Sequence, residues 1–290
     1  MGKQIVSEFP VYNHNPFWGN DYVGMTSNGI KLYLNKEIIF CDCIIALGTI
    51  LPHINMGFSG GYKILLPGCS SLDTIKSLHK FEPNQRIKLW ETEDNYYRSV
   101  IDEMNNYCPL DFLVNVILNK QAEIVDVFAG DPIAAFESGK KLAKKVYNSQ
   151  IVRDSDIVIV NMFSRENESF VGQILGLNAI KDSGGTLVMI AESGIGQVTH
   201  YGTGNFGKFF KNENYLKIEK PEKLNKQIIF SSLPDRASSD WWLEDNDKII
   251  WATTWDEVLK ELTKDYPDGA KVTFIEDGGM QYDSSLNIEI

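Results

Sequence analysis

The sequence predicts an α/β protein made of two α/β domains with mixed or mostly parallel sheets, covering residues 1–148 and 149–290. Three observations carry this. Short β-branched apolar runs alternate with longer amphipathic stretches along the chain, which is the signature of strands laid against helices. The order strand–helix–strand in DIVIVNMF, ESFVGQILGLNAIKD and TLVMIAE implies a parallel crossover. The composition, 43% apolar and 23% charged over 290 residues, is that of a globular protein long enough to bury a core in either half.

The elements follow in order. The first 35 residues read as loop-rich, punctuated by Pro10, Asn13, Asn15, Pro16 and Gly19. KLYL and EIIF read as short strands around a turn at Asn35-Lys36, and CIIAL as a continuously buried strand ending at Gly48. FLVNVIL and EIVDVFA are strands. DPIAAFESGKKLAKKVY is a helix, with Asp131 as N-cap, Pro132 at the first helical position and Ile133, Phe136, Leu142 and Ala143 on one face. After residue 148 come the crossover unit, then strands in KQIIFSS, DKIIWAT and KVTFIED. WDEVLKELTKD is a helix capped by Thr254.

Bulk properties exclude several roles. A net charge of -11 argues against a general grip on nucleic acid, which needs clustered Lys and Arg. No apolar run reaches the ~18 residues of a membrane span. Val6 stands where a myristoylation signal wants Ser or Thr, and no presequence is visible. The cysteines, Cys41, Cys43, Cys69 and Cys108, form no CxxC, which fits a reducing cytoplasm. The pair in CDC reads either as a soft-metal site or as two small apolar side chains on one face of a strand.

The chemistry-bearing stretch is LPHINMGFSGGYK, Leu51 to Lys63, directly after the strand CIIAL. Open α/β sheets hold ligands where strands end. FSGGYK has three readings. Ser59, Gly60 and Gly61 can form an anion cradle of backbone N–H groups, Lys63 can be a covalently reactive amine, or the segment is a plain turn with a solvated lysine. It is not a Walker A loop. His53 reads as a general base or as a satisfied loop histidine, and His79 as a metal ligand, a second base or a satisfied polar residue.

Taken together, PHINMGFSGGYK, the Pro67-Gly68 pair and a histidine sixteen residues after Lys63 resemble the nickel-dependent lactate racemase family. VGMTSNGIKLYLNKEIIFCDCIIALGTILPH, the region from Arg98 to Pro132, the Gly-Gly–strand–AE run near residues 184–192 and the tail KVTFIEDGG are similar to the family as well. The resemblance implies a site in the cleft between the two domains and a nickel-pincer nucleotide as cofactor. By it, Lys63 tethers the cofactor, His79 ligates nickel, Ser59, Gly60 and Gly61 belong to the cofactor site, and His53 is an acid/base histidine. The implied activity is racemisation or epimerisation of a small 2-hydroxy acid by hydride transfer to the cofactor. Imidazole suits Ni(II), as do square-planar N, S and C donors.

Departures qualify the expectation. By resemblance the family's other acid/base histidine and a substrate-holding arginine lie in an upstream N-terminal segment with no counterpart in this sequence, so a separate subunit is expected to supply them. His14 and His200 are the remaining histidines that can substitute. In FVGQILG, Gln173 matches the family's helix, while its lysine position is apolar and Ile174 and Leu175 read as helix core. The alternatives are a non-catalytic or regulatory subunit that keeps the fold, and a nucleotide- or phosphate-binding enzyme using FSGGYK without nickel. The aromatics Phe9, Tyr12, Phe17, Trp18 and Tyr22 are candidates to meet a partner or this chain's own core.

Overall fold

A computed structural model describes residues 2–79, 88–91, 93–197, 220–236, 243 and 246–286, and its architecture is α/β. A short helix α1 (Lys3–Glu8) precedes an antiparallel hairpin of β1 (Asn20–Met25) and β2 (Lys31–Asn35), in which Tyr22 faces Tyr33. The segment read as loop-rich therefore contains a helix and a strand. EIIF is not a strand. The Asn35 side chain accepts the Glu37 N–H at 3.0 Å and caps a helical turn, α2 (Lys36–Ile39). A side chain that captures the first free N–H favours helix over extension. Cys41 and Cys43 lie in the exposed loop that follows and not on a strand face, and Cys41 Sγ donates to Glu37 O.

Strand β3 (Ile45–Thr49) leads into a two-residue ladder of β4 (Pro52–His53) and β5 (Gly57–Phe58). Helices α3 (Leu72–Leu78) and α4 (Tyr96–Asp102) follow. The sheet is then completed by β6 (Phe112–Leu118), parallel to β3, and β7 (Ile124–Gly130), antiparallel to β6. One face is covered by α5 (Pro132–Val146), started by the Asp131 carboxylate accepting the Ala134 N–H at 2.8 Å. The other face is open. Ala46, Leu113 and Ile117 are buried, whereas Ile45, Leu47 and Phe112 are exposed. CIIAL is thus half of a one-sided sheet rather than a continuously buried strand.

The second sheet is wholly parallel among its described strands, with spatial order β11-β10-β9-β8-β12. It contains β8 (Ile157–Asn161), β9 (Gly185–Ile190) joined by α6 (Phe170–Ala179), β10 (Leu224–Phe230), β11 (Ile249–Ala252), and β12 (Val272–Ile275) after α7 (Trp255–Asp265). The expected crossover is present. Thr254 and Glu257 form a reciprocal capping box at α7. From β8 the chain steps outward through β9, β10 and β11, then returns to place β12 on the other side of β8. The switch in direction lies between β8 and β12, where open α/β sheets form ligand crevices at their carboxyl ends.

The tail then crosses back. Tyr282 N–H donates to Tyr147 O at 3.1 Å, and the Tyr282 ring packs edge-on against Phe58 with centroids 5.6 Å apart. One continuous apolar core includes residues from both sheets, among them Leu113, Phe136, Val160 and Tyr282. No helix among the described residues is long and apolar enough to cross a membrane.

Candidate active site

The turn that carries Lys63 is fixed from several directions. Ser59 N–H donates to Leu51 O at 2.8 Å, its hydroxyl donates to Thr49 O at 2.9 Å, and that hydroxyl accepts the Leu51 N–H. Gly60 and Gly61 take φ of 99° and 59° and swing the chain into a 3-10 turn, Gly61–Ile64. Both values lie in the left-handed region that a side chain disfavours. Gly61 N–H donates to the Asn115 side chain of β6 at 3.0 Å. Arg98 of α4 donates to Gly60 O at 3.0 Å, grips Asp102 and stacks 4.0 Å above the Phe136 ring of α5. The N–H groups of Ser59 and Gly61 are therefore engaged inside the protein, so these residues shape the turn.

Lys63 is half-buried. Burial first, then the positive charges of Arg165 and Arg98, push its amine down to about 7, against the opposing pull of Glu168. His79 follows directly after α3. Its Nδ1 lies 2.8 Å from Ile75 O. A carbonyl only accepts, so Nδ1 carries the hydrogen and Nε2 carries the lone pair, the tautomer that binds metals. Burial lowers the His79 pKa, the Ile75 hydrogen bond opposes this, and the charge of Lys63 lowers it further. Lys63 and His79 thus lie within electrostatic range of each other. His53 sits on the ladder that feeds this turn, and its Nδ1 accepts the Asn55 N–H at 3.3 Å.

Other expected residues fall elsewhere. His14 is a structural tie. Its Nε2 donates to Ser70 O at 2.8 Å, and its Nδ1 accepts from the Asn35 side chain at 3.2 Å. Gln173 is fully buried in the helix–sheet interface, where its carbonyl accepts from Gln227 of β10 at 2.7 Å. Leu175 is core, as read, and Ile174 packs partly buried against it. His200 lies outside the described residues. Sequence reasoning missed Arg165, Arg98 and Asn115. The one available signal for Arg165 was its place just after a strand of the parallel sheet.

Residues 1–88 match the family described as the lactate racemase N-terminal domain. The lactate racemase of Thermoanaerobacterium thermosaccharolyticum is 28% identical over 251 residues, which is 83% of this chain and 56% of the relative. That of Lactiplantibacillus plantarum is 27% identical over 286 residues, 88% of this chain and 65% of the relative. The chain thus spans less than two thirds of the length of either. In fold, it is similar to the lactate racemase apoprotein from T. thermosaccharolyticum, with a TM-score of 0.69 at 22% identity over 94% of this chain and 70% of that one. A protein from Thermotoga maritima gives a TM-score of 0.58 at 17% identity, covering 94% and 77%.

Proposed function

We propose that this chain is a member of the lactate racemase family, on its likeness to that family's N-terminal domain and to two lactate racemases, and that it is an isomerase that racemises or epimerises a small 2-hydroxy acid with a nickel-pincer nucleotide. The observation that carries the reading is the pair of Lys63 and His79: a half-buried lysine whose amine is held near neutrality, coupled to an imidazole whose Nε2 bears the lone pair.

The residues fit such a group. Among the described residues no cluster of three or more His, Cys, Asp or Glu is arranged to hold a metal ion. A single imidazole beside a reactive amine suits a metal whose remaining donors arrive with an organic cofactor. Lys63 is the attachment point: an amine near pKa 7 is unprotonated about half the time at neutral pH, the form that makes a covalent bond. His79 would hold the nickel, and Ser59, Gly60 and Gly61 would serve the cofactor by fixing the turn under Lys63. When bound, the group supplies an acceptor for the hydrogen on the substrate α-carbon.

His53 works at the substrate hydroxyl. Its hydrogen bond from Asn55 favours the Nε2–H tautomer, the form that returns a proton to oxygen. At 3.3 Å that bond is long, so the tautomer that accepts a proton at Nε2 is only weakly opposed. One positioned acid/base group contributes ~10²–10⁴ in rate. Inverting a centre from both hands requires a second such group, and His14 has both ring nitrogens engaged. A separate subunit or segment supplies it. Support comes from Phe9, Tyr12, Phe17, Trp18 and Tyr22, all exposed, and from the open apolar face of the β3–β6–β7 sheet. The cytoplasm is the compartment in which this chain and its four free thiols work.

The test is an inversion assay. A chain loaded by co-expression with cofactor-making enzymes, together with any polypeptide that co-purifies with it, is incubated with single-enantiomer lactate and other 2-hydroxy acids. Inversion that is lost in His53→Ala supports the reading. A loaded preparation that inverts none of them leaves the non-catalytic, regulatory reading in its place.

A further inference from the structure

Arg165 is a cation beside the site that the reading above does not use. It sits in the 3-10 segment Phe163–Glu168 just beyond β8, at non-helical φ/ψ of -139° and 55°. The loop beyond β12 packs beneath it. Ser164 Oγ donates to the buried Asp277 carboxylate at 2.6 Å, and a Cβ on Gly279 would lie 2.9 Å from Arg165 Cβ. Arg165 thus stands at the switch point between β8 and β12, the crevice position of an open parallel sheet. It reaches across to the first sheet's loop, donating from Nη2 to Pro52 O at 2.9 Å, next to His53. It is within electrostatic range of Lys63.

Its donors are under-used for its burial. The side chain is 12% exposed, yet among the described residues it makes that single hydrogen bond and one ion pair, Nη1 to Glu168 at a long 3.6 Å. Arg98, at 9% exposed, engages Nε, Nη1 and Nη2 with Asp102 and Gly60. A guanidinium has five N–H donors in a planar fork, and no Arg165 nitrogen is among the described buried polar atoms that lack a partner, so its unused donors face solvent and are open to a ligand. The fork matches a carboxylate in two-point contact. Glu168 already offsets part of the positive charge, which favours a monoanion over a doubly charged phosphate.

We infer that Arg165 is the substrate-anchoring residue of the site, holding the carboxylate of a 2-hydroxy acid between the crevice of the parallel sheet and the Pro52–His53 strand. The identity of the acid rests on the proposed function, whereas the anchoring residue does not depend on the cofactor. The substrate carboxylate then lies against a cation supplied by the second sheet while His53 and Lys63 come from the first, so binding draws the two sheets onto one molecule.

Calorimetric titration of the folded chain with lactate, methyl lactate and inorganic phosphate tests this. Lactate is expected to bind and its uncharged ester to bind at least tenfold more weakly. Arg165→Met weakens lactate binding tenfold or more, because a charge-assisted pair is removed. Arg165→Lys, which keeps the charge and loses the fork, weakens it at least threefold and serves if the methionine variant does not fold. Lys141→Met, on the exposed face of α5, leaves it unchanged. Absence of lactate binding by the unsubstituted chain, equal affinity in a folded Arg165→Met or Arg165→Lys, or phosphate binding tighter than lactate overturns the inference. A chain that takes no adduct on Lys63 yet binds lactate through Arg165 removes the cofactor reading and leaves this one standing.

Discussion

Lys63 is a lysine whose surroundings oppose its charge. Its folded pKa of about 7 lies below the unfolded value of 10.5. The unfolded chain therefore binds the extra proton between those values, and stability attributable to this residue rises with pH from about 7 to 10.5. Lys63→Met should stabilise the chain at pH 7 by on the order of a few kcal/mol, a gain that shrinks towards pH 10. Urea melts of both proteins at pH 7 and 9.5 check this, and equal gains at both pH values would contradict it. At Gly61 the conformation itself is the constraint. An alanine Cβ would lie 2.7 Å from Arg98 Nη2 and 3.1 Å from Phe136, at a φ of 59°. Gly61→Ala is expected to cost about 2 kcal/mol or more, read as a fall in the urea midpoint. His53, Lys63 and His79 stood out in the sequence because they lie within 27 residues of one another. Arg165 did not, because its contact with Pro52 spans 113 positions, a distance that local spacing does not encode.

Helices carried their own instructions. Asp131 and Thr254 were readable as caps because a cap needs only local chain, and both side chains accept the N–H three residues on. Asp131→Ala should cost about 1 kcal/mol in a urea melt. Because α5 seats Phe136 beneath Arg98, the same change should loosen the Gly60–Gly61 turn and raise amide exchange there. The strand readings were less secure where two local rules competed. EIIF has strand composition, but Asn35 caps it into a helical turn. CIIAL read as buried from composition, and only the pairing of β3 with β6 shows which of its faces meets the core.

At the scale of the molecule the two sheets are joined by side chains from distant sequence. Arg165 ties the loop after β8 to Pro52, and Tyr282 carries the tail back to Phe58 and Trp90. Tyr282→Ala removes a buried ring from that junction. It should cost about 3–5 kcal/mol, measured as a lowered urea midpoint in one cooperative transition. No periodicity announces such a junction, since it depends on how finished elements dock. The α/β class was legible from strand–helix alternation. The wholly parallel order of the second sheet, and the switch point that presents Arg165, emerged only once β12 was seen beside β8.

The central claim is that Lys63 tethers a nickel cofactor held by His79. Peptide mass spectrometry with nickel analysis, on chain co-expressed with cofactor-making enzymes, addresses it most directly. The account predicts a mass adduct on the peptide containing Lys63 and about one nickel per adduct, as expected for a single imidazole ligand. Both are lost in Lys63→Ala, while His79→Ala lowers nickel and keeps the adduct. A chain with neither adduct nor nickel, or with nickel retained in Lys63→Ala, contradicts it.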